Sequence, residues 1–209
     1  MNATDSSNAI RIDLMLIADM IAPKARVLDV GCGEGVLLEY LGQFKQVDGR
    51  GIELSMAGVR EAVRRGLSVI QGDADTDLKD YPSGSFDYVV LSQTLQATRN
   101  PRRVLEELLR IGTYAIVSFP NFAHWRNRLY LLLEGRMPVT DSLPYQWWDT
   151  PNIHFCTVRD FVRLCAEMGI MIEQSLTLDR KGRVQKFAPL GGLANALACQ
   201  AVYRLRRAG

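Results

Sequence analysis

The stretch "VLDVGCGEGVLLEYL", Val27 to Leu41, constrains the fold more than any other part of the chain. An apolar run breaks over Gly31, Gly33 and Gly35, then resumes with apolar residues at helical spacing. That is a strand, a tight turn and a helix in immediate succession. Glycine in such a turn allows positive φ and lets a ligand approach the backbone. The helix that follows presents free N–H groups at its start.

The same alternation continues. "RVLDVG", "VDGRGIEL", "LSVIQGD", "FDYVVLS" and "TYAIVSFP" read as strands, with helices predicted between most of them. Ser55 is placed to cap "MAGVREAVRRG", which Gly66 ends, and Asn100 with Pro101 starts "PRRVLEELLRIG". Before the first strand, Ile10, Leu14, Ile17, Ala18 and Ile21 share one helical face that Pro23 ends. The strands are continuously apolar, which predicts a parallel sheet covered on both faces. Past Pro120 the rhythm changes. "NFAHWRNRLYLLLEG" reads as a helix, and the aperiodic "RMPVTDSLPYQWWDTPNIHF" as a long loop. "TVRDFVRLCAEMG" is then a helix, and "IMIEQSLTL" and "LACQAVYRLR" are expected to close the sheet as an antiparallel pair. A length of 209 residues suits a single domain, 1–209, with a lid or insertion at about 121–156.

Three ligand classes compete for the glycine turn. A P-loop requires a lysine after the glycines, and 34–38 contains none. A dinucleotide fingerprint requires its third glycine where Val36 stands. The remaining pattern, D-x-G-x-G-x-G over Asp29 to Gly35, resembles the first motif of class I S-adenosylmethionine-dependent methyltransferases. Glu53 ends the second predicted strand at the spacing where a carboxylate meets a ribose diol. The resemblance implies that Asp73 accepts from the adenine amino group and that the Ala74 N–H meets a ring nitrogen. Leu54, beside Glu53, and Ser92, at the end of the fourth strand, complete the expected cofactor-binding set. It also implies a Rossmann-like, doubly wound α/β fold with a mostly parallel seven-stranded sheet. The cofactor would be S-adenosyl-L-methionine or S-adenosyl-L-homocysteine.

Beyond the cofactor half, "LSQTLQATRNPRRVLEELLRIG", "VSFPNFAHWRNRL", "EGRMPVT" and "PYQWWDTPNIHFCTVRDF" resemble the methionine biosynthesis MetW family. That resemblance implies a cytoplasmic role in methionine synthesis, as partner subunit in a hetero-oligomer with homoserine O-acyltransferase, the MetX-like α/β-hydrolase. A methyltransferase acting on its own small substrate is the alternative. No catalytic residue stands out: the fourth strand is followed by Ser92-Gln93-Thr94-Leu95, and the only histidines, His124 and His154, read as structural. Trp125, Trp147 and Trp148 lie close to Phe122, Tyr130 and Tyr145. Either they pack as a lid over the cofactor crevice or they form a partner surface. "FAPLGGLANALA" is a second candidate contact.

A net charge of +2 gives no reason to expect nucleic acid, and the terminal arginines and Arg60, Arg64 and Arg65 read as solvated faces. No apolar run is long enough to span a bilayer, and "MNATDSSNAIRID" lacks signal-peptide features. Cys32, Cys156, Cys165 and Cys199 lie too far apart in sequence for a CxxC pair and read as reduced thiols, with no metal site expected.

Overall fold

The computed structural model describes residues 10–140, 143–185 and 191–208. Seven strands form one sheet: β1 (Arg26–Val30), β2 (Asp48–Glu53), β3 (Ser68–Gln71), β4 (Phe86–Ser92), β5 (Gly112–Pro120), β6 (Ile170–Leu178) and β7 (Gln200–Arg207). Their order is β3-β2-β1-β4-β5-β7-β6. The β1–β5 pairs are parallel, and β7 runs antiparallel to both β5 and β6. The helices are α1 (Ile12–Asp19), α2 (Val36–Lys45), α3 (Met56–Arg64), α4 (Pro101–Ile111), α5 (Trp125–Glu134), α6 (Val158–Glu167) and α7 (Gly192–Leu197). The expected doubly wound α/β architecture is therefore observed.

The local signals act as their chemistry dictates. Ser55 Oγ accepts from Gly58 N at the start of α3, and Asn100 Oδ1 accepts from Arg103 N at the start of α4. Thr157 caps α6 through Asp160 N. The continuous apolar strands β1, β4, β5 and β7 are buried in the middle of the sheet. One core cluster gathers Leu28, Leu91, Leu105, Phe119, Phe161 and Tyr203. A second gathers Ile17, Ile21, Val27, Leu41, Val90 and Val202. The edges differ: β3 buries only Val69, and β6 alternates half-buried with exposed residues over its first half.

The stretch 121–156 contains α5 and a coil whose Phe122 and Phe155 rings stack at 4.6 Å. Buried asparagines tie it down. Asn121 Nδ2 donates to the carbonyls of Asn195 and Ala198, while its Oδ1 accepts from the N–H groups of Ala123 and Val158. One side chain thus joins the end of β5 to α6 and α7. Of "FAPLGGLANALA", 187–190 lies outside the described residues, and α7 buries Ala194 and Asn195 against the core. Among the described residues, no helix is long and apolar enough to cross a membrane.

Candidate functional site

The carboxyl ends of β1 to β4 bring the expected residues to one edge of the sheet. Asp29 sits in β1, paired in register with Gly51 and Val90. The chain then turns through Gly31, Gly33 and Gly35, with φ of 72°, 55° and 80°. The glycines divide the work. A Cβ on Gly35 would collide with Leu67 and press on Ala62, so Gly35 lets α2 approach α3. A Cβ on Gly33 would meet nothing within 4 Å: its bare face is open. The helix α2 then begins with no side-chain cap.

Glu53 lies across this turn. Its Oε2 accepts from Gly33 N at 2.8 Å and its Oε1 from Ser55 N at 2.8 Å. Each oxygen keeps a lone pair for a hydroxyl donor. Leu54 is exposed beside it. After β3, the Asp73 carboxylate accepts from Asp75 N at 2.9 Å, and its own N–H donates to Asp77. The Ala74 N–H has no partner among the described residues. Asp75 holds this turn to the start of α4 by accepting from Arg99 N and Asn100 N.

A cavity of about 640 Å³ opens beside the turn. It is lined by Asp29, Gly31, Gly33 and Ser92 of the expected set, whereas Gly35, Glu53, Leu54, Asp73 and Ala74 lie outside its lining. Asp29 is the chemical centre of the cavity. It is 3% exposed, and among the described residues no donor reaches its carboxylate. Burial pushes its pKa to about 7; Arg11 opposes the rise and Glu53 adds to it.

Sequence reasoning missed Arg11. It pairs with the buried Asp13 at 2.8 Å and reaches Ser92 Oγ at 3.3 Å, 81 positions away in the chain. No local pattern signals such a contact. Arg65 was expected on a solvated face. It instead lines the cavity, holding Glu34, Glu39 and Glu61. Arg204 likewise pairs with Glu173 and stacks over Tyr114.

Neither histidine is placed as a base. His124 caps α5: its Nδ1 accepts from Arg126 N, so the proton of the neutral ring is on Nε2. Burial, with Arg126 and Arg180 beside it, lowers its pKa. His154 lies 3.4 Å from the Arg99 carbonyl at the surface. None of the four cysteines is joined in a disulfide, and burial pushes Cys32, Cys156 and Cys165 up to about 12, which keeps them as unreactive thiols. No cluster of metal-ligating side chains occurs among the described residues. The tryptophans do not close over the glycine cavity. Trp147 and Trp148 are 69% and 68% exposed, and none of the described residues of 121–156 lines that cavity.

Comparison with known proteins adds family and fold. Residues 11–205 match the family described as methionine biosynthesis protein MetW. The bifunctional methionine biosynthesis protein MetXA/MetW of Rhodopirellula baltica is 32% identical over 186 residues, covering 85% of this chain and 30% of that protein. This chain thus spans about a third of that relative's length. An S-adenosylmethionine-dependent methyltransferase of Thermotoga maritima, described as a possible histamine N-methyltransferase, superposes with a TM-score of 0.66 at 20% identity, covering 93% of this chain and 87% of that one. The [4+2]-cyclase SpnF superposes with a TM-score of 0.65 at 18% identity, covering 93% and 80%. A shared fold therefore does not by itself assign methyl transfer.

Proposed function

This chain belongs to the methionine biosynthesis protein MetW family, and on that premise we propose that it binds S-adenosylmethionine, or S-adenosylhomocysteine, at the glycine turn and acts as the partner subunit of a homoserine O-acyltransferase. One observation carries the cofactor reading: the open face of Gly33 lies beside Asp29, a buried carboxylate with no hydrogen bond among the described residues. An ammonium group held there would compensate the buried charge. The uncapped start of α2 offers N–H groups to a carboxylate. Glu53 is positioned for the ribose hydroxyls, and Asp73 with the Ala74 N–H for the adenine edge. Leu54 supplies an apolar surface between them, and Ser92 faces the amino-acid end. When bound, S-adenosylmethionine supplies an activated methyl group on a sulfonium.

Support for the partner comes from the Rhodopirellula relative, named as bifunctional MetXA/MetW, in which a MetW-like part shares one chain with a MetXA part. This chain supplies an exposed apolar surface suited to such a role. On α5, Leu132 and Leu133 are 79% and 71% exposed, and Trp147 and Trp148 follow in the coil. Large exposed apolar groups concentrated in one stretch mark an interaction site. Because S-adenosylmethionine is made from methionine, a subunit that binds it can report pathway output, provided the ligand favours one state of the complex.

Co-expression with the homoserine acyltransferase tests the partner reading. The two chains co-purify, and acyltransferase activity changes when S-adenosylmethionine saturates the complex. Failure to co-purify removes the partner role, and unchanged activity removes the regulatory one. A methyltransferase acting on its own substrate is the second reading, favoured by a second cavity that shares Arg11 with the first. Transfer of labelled methyl from the cofactor to a metabolite extract is its test.

A further inference from the structure

The second cavity, about 680 Å³, lies past the ends of β4 and β5, where Arg11 separates it from the glycine turn. Its walls come from remote parts of the chain: Ile12, Gln93, the start of α5, Val139, the turn after β6, and Gln200. The charges are unbalanced. Asp13 is held by Arg11, and the Asp179 carboxylate by Arg183. Arg126 and Lys181 have no acidic partner among the described residues.

The start of α5 sharpens the imbalance. A helix N-terminus carries partial positive charge and favours acidic side chains. Here the first turn holds none, and carries Arg126 and Arg128 instead. Arg126 and Arg180 both act on His124, which they and burial keep neutral with its Nε2–H as a donor. Gln93, held at φ 55°, adds a buried amide nitrogen with no partner. Arg126, Lys181, the His124 Nε2–H and the Gln93 amide nitrogen thus give this cavity a surplus of donors and cations.

We propose that this cavity binds a small organic acid, its carboxylate held by Arg126 and Lys181 and its carbon body against Ile12, Val139 and Leu178. A carboxylate fits better than a phosphate. The backbone amides that would cradle a phosphate, those of Lys181, Gly182 and Arg183, all donate to Asp179 already. Guanidinium and ammonium side chains remain, on apolar walls, which suits an acid with a hydrocarbon body. The volume suits a molecule of metabolite size. The site stands on its own residues; only the acid's place beside a cofactor rests on the proposed function.

Calorimetric titration of the full chain at low ionic strength tests this, with glutarate, suberate and benzoate each run against its amide. At least one acid binds, with its amide at least tenfold weaker. The R126Q/K181Q double variant loses at least tenfold for that acid. Its thermal midpoint and its S-adenosylhomocysteine affinity do not change, because both side chains are exposed and neither lines the glycine cavity. Acids that bind no better than their amides overturn the proposal. So does a double variant with unchanged affinity, or inorganic phosphate binding more tightly than every acid. Acid binding without S-adenosylhomocysteine binding sinks the cofactor reading and leaves this one standing; the reverse result does the opposite.

Discussion

Asp29 carries a burial cost that no hydrogen bond among the described residues offsets. A carboxyl whose pKa stands near 7 instead of 3.8 pays, on ionising, up to about 4 kcal/mol. The raised value means that the native state binds the proton more tightly than the unfolded chain. Stability from this group is therefore present below about pH 4 and is lost as pH rises to about 7. Asp29→Asn should raise the unfolding midpoint at pH 8 by several degrees and leave it nearly unchanged at pH 4, as thermal melts at the two pH values would show. The same variant should lose S-adenosylhomocysteine affinity, since the amide cannot pair with an ammonium. In the unaltered chain, that affinity should fall up to tenfold per pH unit below about 7, because binding must then expel the proton. The turn glycines separate in the same way. Gly33→Ala meets no neighbour, so it should cost roughly 1–2 kcal/mol of backbone strain while blocking the ligand. Gly35→Ala forces Leu67 and Ala62 aside, and should destabilise the fold by more than Gly33→Ala in urea titration.

At the scale of elements, Asn121 holds the insertion to the sheet. Its four hydrogen bonds are buried, and Asn121→Ala leaves the carbonyls of Asn195 and Ala198 and the N–H groups of Ala123 and Val158 without partners. A loss of about 3 kcal/mol in denaturant unfolding is expected. Leu132→Asp, on an exposed position of α5, should leave stability unchanged and abolish co-purification with the acyltransferase. The elements themselves were legible because their signals are local: an apolar run, a cap at Ser55 or Asn100, glycines at a turn. What escaped the sequence is non-local. Nothing in "LACQAVYRLR" shows that β7 inserts between β5 and β6, because strand order depends on which edge the chain returns to. Arg11 escaped for the same reason, since its partner Ser92 is brought to it only by the finished sheet. The pattern of acids at strand ends was readable. That only Asp29, Gly31, Gly33 and Ser92 share a cavity was not, because concavity arises from packing.

In the whole molecule, two cavities lie at the carboxyl edge of one sheet, with an exposed apolar helix beyond them. The glycine turn faces one cavity and the basic cluster the other, with Arg11 touching both. Such an arrangement lets a ligand in the first bias what the second holds, if the two share a conformational equilibrium. Everything depends on what lies against Gly33. A crystal structure grown with saturating S-adenosylhomocysteine tests this directly. The nucleoside should lie across the turn, its ribose on Glu53, its adenine at Asp73 and its amino group toward Asp29. A cleft without ligand at saturation, or a nucleoside bound elsewhere on the chain, would contradict it.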